Sequence, residues 1–171
     1  FRAFSTRYAR LGIGICWAQW LPETSRALTL LGAELLLFPS AIGSEPLRPD
    51  LDTSESWQRV MIGQAVANCI PLAAANRIGD EGGQVFYGRS FICDHRGEKL
   101  AELGRKKPGV ITARLDLDEA KRYRKWFGLI EGRRPELYRI LSGKVSPLPA
   151  ATCGRRSESV ANTPWKRIRL K

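Results

Sequence analysis

Histidine occurs once in the 171 residues, as His95, and methionine once, as Met61. The four cysteines, Cys16, Cys69, Cys93 and Cys153, stand far apart and form no CxxC pair. That scarcity excludes the usual zinc spacings and gives no disulfide framework. A reducing, cytoplasmic compartment is the natural expectation, with no metal and no cofactor. Apolar runs such as Leu11–Ala18 and Leu35–Phe38 fall far short of the roughly 18–20 residues that span a bilayer. Phe1–Arg10 carries three arginines and no apolar core, so it does not read as a secretory signal. No internal repeat is visible.

What is present suits a single globular domain, with 43% hydrophobic and 26% charged residues. The formal net charge of +11 suggests an anionic or nucleic-acid partner until its distribution is examined. Residues 1–95 hold 8 Lys/Arg against 9 Asp/Glu, whereas residues 96–171 hold 20 against 8. The basicity is regional, and its clusters (Arg105–Lys107, Lys121–Lys125, Trp165–Lys171) follow no nucleic-acid motif. Nucleic acid is therefore not the expected partner.

Periodicity predicts a strand over Leu11–Cys16, a helix over Pro22–Leu30 stopped by Gly32, and a strand over Glu34–Phe38 closed by Pro39. A long polar loop, Ser40–Ser56, is a candidate binding loop. Trp57, Val60, Met61, Ala65 and Cys69 fall on one face of a helix over Trp57–Cys69. Further strands are expected over Leu72–Ile78 and Val110–Leu115, with a hairpin of Val85–Cys93 and Glu98–Leu103 turning at Asp94–Gly97, which leaves His95 exposed. A charged helix over Asp116–Lys125 and a short one over Pro135–Leu141 follow. Residues 1–141 read as one α/β domain with a mixed sheet, and 142–171 as a basic, disordered tail.

Cys16 stands out before any comparison, because it ends an apolar strand and the chain then turns into a helix at Pro22. In α/β folds, ligands and catalytic groups gather beyond the carboxyl ends of strands. A thiol there can act as a nucleophile, with the Trp17 amide N–H facing a developing oxyanion. The same position equally suits a buried structural cysteine.

The series Gly12-Ile13-Gly14-Ile15-Cys16-Trp17, Gln19-Trp20, Pro22-Glu23, Phe38–Pro46, Trp57, Arg59-Val60-Met61, Asn76–Gly79, Phe86-Tyr87-Gly88 with Ser90-Phe91-Ile92, and Arg133–Tyr138 resembles the carbon–nitrogen hydrolase (nitrilase) superfamily. Within it, the set is most similar to the branch that hydrolyses the ureido group of N-carbamoylputrescine to putrescine, ammonia and CO2. The resemblance implies a nitrilase-type αββα sandwich, a homo-oligomer, no cofactor and Cys16 as nucleophile. It also implies a glutamate base and a lysine that stabilises the tetrahedral intermediate, both lying upstream of the cysteine. Phe1–Ile15 contains neither residue, so the chain matches the later part of the domain. Each missing acid–base group is worth about 10²–10⁴-fold in rate, and the chain alone is expected to be weakly active or inactive. Ala18 stands where the family usually has aspartate, which removes a carboxylate able to hold the turn's N–H groups.

Glu45 suits the terminal ammonium of such a substrate, although a loop acid is ordinarily just solvated. Ser44, Asn76 and Arg77 are the other candidate substrate-binding residues, and Asn76 and Arg77 equally suit loop anchoring. Two other readings stand beside the hydrolase. One is a non-catalytic, oligomer-forming relative, and the other a basic RNA- or anion-binding module.

Overall fold

The computed structural model describes residues 1–143 apart from Pro46 and Pro49, so most of the expected tail lies outside the described residues. Phe1–Arg133 form one compact unit, and the described residues from Arg134 onward belong to a second. The first unit is built on a six-stranded mixed sheet in the order β1-β2-β3-β4-β7-β8. Its strands are β1 (Ala3–Ser5), β2 (Arg10–Ile13), β3 (Leu35–Ser40), β4 (Leu72–Asn76), β7 (Phe91–Cys93) and β8 (Lys99–Glu102). β2, β3 and β4 run parallel, and the flanking pairs are antiparallel. A separate antiparallel pair, β5 (Ile78–Glu81) and β6 (Gln84–Tyr87), follows β4.

Period-two alternation sorts the two faces of the sheet. Leu36, Leu72 and Cys93 are in register, as are Phe38, Ala74 and Phe91. These rows are buried with Leu28 of α1 (Pro22–Leu30) and with Trp57, Met61 and Ala65 of α2 (Ser54–Asn68). Gly12 lets α1 approach β2, since a Cβ there would lie 2.9 Å from Leu36 Cδ2 and 3.0 Å from Leu28 Cβ. The opposite row is Ile13, Leu37, Ala73 and Ile92. It lines an apolar groove of about 470 Å³, with Pro39 and Ile111 among the other walls. Helices thus flank one face, and the groove occupies the other.

Several sequence expectations are corrected. The strand predicted over Leu11–Cys16 stops at Ile13, because Cys16 has φ 48° and cannot continue a ladder. Pro39 does not close β3. Leu36 N–H donates to Pro71 O on the β4 side, and donor direction alternates along a strand. Pro39 therefore points its missing N–H toward β2, beyond the last pair, Ile13↔Leu37.

The segment Leu72–Ile78 breaks at Arg77 into β4 and β5. Val85–Cys93 breaks at Gly88 (φ 60°) and Arg89 (φ 58°), and the Gly82-Gly83 turn makes an unanticipated hairpin. Arg89 holds its unusual backbone because its side chain donates to Glu55, to Glu102 at 3.0 Å and to Gln58 at 2.9 Å. Val110–Leu115 is not a strand, and Val110 and Ile111 instead line the groove. The charged helix is α3 (Leu117–Phe127), capped by the Asp116 side chain. His95 is 7% exposed rather than solvated, with its ring 4.9 Å from Tyr123 of α3. In the second unit, Pro135–Leu137 forms a 3-10 turn, followed by the single turn of α4 (Arg139–Ser142).

Candidate active site

The carboxyl ends of the three parallel strands bring the candidate residues to one edge of the sheet. After β2 comes a 3-10 helix, Cys16–Trp20, whose first residue is the half-buried Cys16. After β3 comes the loop bearing Ser44 and Glu45, and β4 ends at Asn76. Such a junction is where α/β sheets bind ligands.

The turn carrying Cys16 is held without a side-chain cap. Ala18 N–H donates to Ile15 O at 3.1 Å, and Leu21 N–H to Ala18 O at 3.3 Å. Trp17 N–H lies in the first turn, where helical N–H groups have no intrahelical acceptor. The turn's anchor is Gln19, which is fully buried. Its carbonyl accepts from Gln64 Nε2 at 2.8 Å, and its Oε1 accepts from Ser40 Oγ at 2.6 Å. Ser25 of α1 donates to Gln64 Oε1. A buried amide chain therefore fixes the turn from beneath, independently of the residue at position 18. The sequence signal for Gln19 was its place between Cys16 and Pro22, but burial of a glutamine is not legible from pattern.

A cavity of about 210 Å³ opens beside the turn, lined by Trp17, Trp20, Ile42, Glu45, Leu51 and Thr53 among others. Glu45 is exposed, and its carbonyl accepts from Arg48 N–H at 2.8 Å. Ser44 is engaged with β6: its Oγ accepts from Val85 N–H at 3.0 Å, and its N–H donates to Val85 O at 2.9 Å. Asn76 is a clamp. Its Oδ1 accepts from Ile42 N–H at 2.8 Å, while Nδ2 donates to Ile42 O at 3.0 Å and to Gly88 O at 2.9 Å. Arg77 pairs with Glu81 and lies over the Phe86 ring, 4.5 Å from its centroid. Glu45 and Trp17 thus share the cavity, while Asn76 and Ser44 fix the loop that forms it.

The far end of the loop is held by charge. Asp52 accepts from Arg105 at 2.7 Å, and this pairing lowers its carboxyl to about 2. An unfolded aspartate titrates near about 3.9, so the pair's stabilisation is complete above that pH and is lost as the pH falls toward 2. Asp52→Asn is expected to lower the urea midpoint at pH 6 and to match the unsubstituted chain by pH 2. A constant difference across that range would exclude the linkage.

Residues 1–125 match the family model for carbon-nitrogen hydrolases. The chain belongs to that family. Among curated relatives, it is 48% identical over 142 residues to a citrullinase of Francisella tularensis, and 48% identical over 149 residues to an N-carbamoylputrescine amidase of Solanum tuberosum. These alignments cover 81% and 82% of the chain but 50% of each relative, so the chain spans about half the length of the curated relatives it matches. A carbon-nitrogen hydrolase from Helicobacter pylori G27 superposes with a TM-score of 0.77 at 33% identity, covering 84% of this chain and 53% of that one. A mutant amidase from Nesterenkonia sp. AN1 superposes at 0.65 with 32% identity, covering 81% and 46%. In that protein the acetamide moiety of fluoroacetamide is covalently added at the active site cysteine. The fold is accordingly the nitrilase type, present in part. Among the described residues, no helix is long and apolar enough to cross a membrane.

Proposed function

We propose that this chain carries the nucleophile and part of the substrate pocket of an enzyme that hydrolyses N-carbamoylputrescine. The observation behind this reading is the half-buried Cys16 in a left-handed turn at the carboxyl end of a parallel strand; Cys16 is not itself a wall of the cavity containing Glu45, but Trp17 and Trp20 of the same turn are. The thiolate attacks the ureido carbon, and the oxyanion forms toward Trp17 N–H. Collapse breaks the bond to the terminal ureido nitrogen, which takes a proton and leaves as ammonia, and gives a thiocarbamate on Cys16; water cleaves its C–S bond, returning the thiol and a carbamate that loses CO2 to give putrescine. Glu45 pairs with the substrate's terminal ammonium, and the Trp17 and Trp20 rings offer that cation their faces. Citrulline adds an α-carboxylate at the same end, and among the described residues the cavity walls include Glu45 but neither Lys nor Arg. That charge pattern favours the ureido amine over the ureido amino acid. Assembly into a homo-oligomer belongs to the same proposal.

Phe1–Ile15 is occupied by β1 and β2 and holds neither glutamate nor lysine, which supports weak activity of the chain by itself. The test supplies the other half of the domain as a separate polypeptide, taken from the Solanum tuberosum amidase. The mixture is expected to release ammonia from N-carbamoylputrescine at least about 100-fold faster than this chain alone. A folded, co-purifying complex that leaves the compound intact sinks the proposal.

A further inference from the structure

The loop between β3 and α2 is gripped on both limbs by one residue. Tyr87, the last residue of β6, is 5% exposed. Its backbone N–H donates to Ile42 O at 3.0 Å, on the limb leading into the loop. Its phenol oxygen accepts from Thr53 N–H at 3.1 Å and donates to Leu51 O at 3.3 Å, on the limb leading out. The leading limb has independent support. Ser44 pairs with Val85, and Gly43 passes so close to β6 that a Cβ would lie 2.6 Å from Val85 O. The trailing limb leans more on the phenol, with Arg105 placed over the Tyr87 ring at 5.7 Å while also holding Asp52. Leu51 and Thr53, the two residues tied to the hydroxyl, are walls of the cavity that contains Glu45.

We propose that the Tyr87 hydroxyl is a positioning group, setting the spacing of the two loop limbs and hence the distance from Glu45 to the Leu51 and Thr53 wall across the cavity that a cationic ureido ligand enters. The proposal rests on the ammonium-binding role of Glu45. Tyr87 is not among the cavity walls and acts through Leu51 and Thr53. It donates to Leu51 O and accepts from Thr53 N–H and, at 3.5 Å, from Thr53 Oγ1, which uses both the donor and the acceptor capacity of the phenol and leaves the oxygen little freedom to shift. Removing it takes away the trailing limb's tie at Leu51 and Thr53 and leaves the Arg105–Asp52 pair in place, while the leading limb stays bonded to β6 through backbone.

The experiment uses the full 171-residue chain and equilibrium binding, which needs no turnover. Affinities for N-carbamoylputrescine and for neutral butylurea are measured for the unsubstituted chain, Tyr87→Phe and Glu45→Gln, together with amide hydrogen exchange. Tyr87→Phe is expected to speed exchange at the Thr53 amide about tenfold and to leave the Ser44 amide unchanged. It should lower the preference for the cation about 3- to 10-fold without altering butylurea binding. Glu45→Gln is expected to remove the preference while Thr53 exchange stays as in the unsubstituted chain. Unchanged Thr53 exchange in Tyr87→Phe, or an intact preference, overturns the positioning role. A preference that survives Glu45→Gln, or is absent at the outset, overturns the Glu45 reading and the positioning role with it. If Tyr87→Phe does not fold, Thr53 amide exchange in the unsubstituted chain is compared with and without each ligand: slower exchange with N-carbamoylputrescine and not with butylurea is expected, and equal rates overturn the positioning role.

Discussion

Cys16→Ala is expected to lower ammonia release by about 10³-fold or more once the chain is combined with the complementary half of a relative. The substitution is unusually clean. Alanine meets the same left-handed backbone requirement at φ 48° as cysteine does, so the strain at the turn is unchanged. The turn's anchors, Gln19 to Gln64 and to Ser40, do not involve the thiol. N-carbamoylputrescine affinity should therefore hold while turnover collapses, the pattern of a group that acts in bond making. Mass spectrometry supplies a second readout, since only the unsubstituted chain should trap an electrophilic amide as an adduct on the Cys16 peptide. Turnover within tenfold of the unsubstituted complex would assign the chemistry elsewhere.

The largest effect on stability is expected at Trp57. Its side chain is fully buried between α2 and the sheet, and it meets Phe91 edge to face at 5.9 Å and 90°. Truncating a buried tryptophan to alanine costs about 3–5 kcal/mol from lost transfer energy and the residual cavity. Domains of this size have only about 5–15 kcal/mol in total, so Trp57→Ala should bring the urea midpoint down by about a fifth or more. Trp57→Phe should cost much less. Its ring keeps the contact with Phe91, and Trp57 Nε1, buried without a hydrogen-bond partner among the described residues, is removed with the indole. Denaturation followed by far-ultraviolet circular dichroism separates the two variants. A loss below about 1.5 kcal/mol for Trp57→Ala would mean that the helices close over the gap.

The elements best foreseen from sequence are those with local signals. Pro22 opens α1 and Gly32 (φ 86°) follows its end, so the expected helix and the observed one coincide. Trp57, Met61, Ala65 and Cys69 do share the buried face. What pattern could not show is pairing. Val110–Leu115 is as apolar as a strand but pairs with none, Val110 and Ile111 lining the groove instead, and apolarity does not distinguish a sheet face from a sheet edge. Pro39 looked like a strand breaker because its tolerance depends on where β2 ends, a tertiary fact. At the site, the sequence placed Cys16 between a strand and a helix and Glu45 in the long loop after the next strand, and the structure has both in those places. Asn76 as a loop anchor was one of the two readings open in the sequence, whereas the bonds of Gln19 and Tyr87 were not legible, since each reaches residues 34 to 45 positions away in sequence.

The φ of 48° at Cys16 also bears on which residue the fold itself would prefer. Cys69 has the same φ at the C-cap of α2, but its side chain is fully buried, and packing offsets the conformational cost. Cys16 is only partly buried and recovers less. Non-glycine residues in this region cost about 1–3 kcal/mol, and glycine adopts it nearly freely. Judged on thermodynamic stability alone, position 16 belongs to glycine, and the sulfur sits there against that preference.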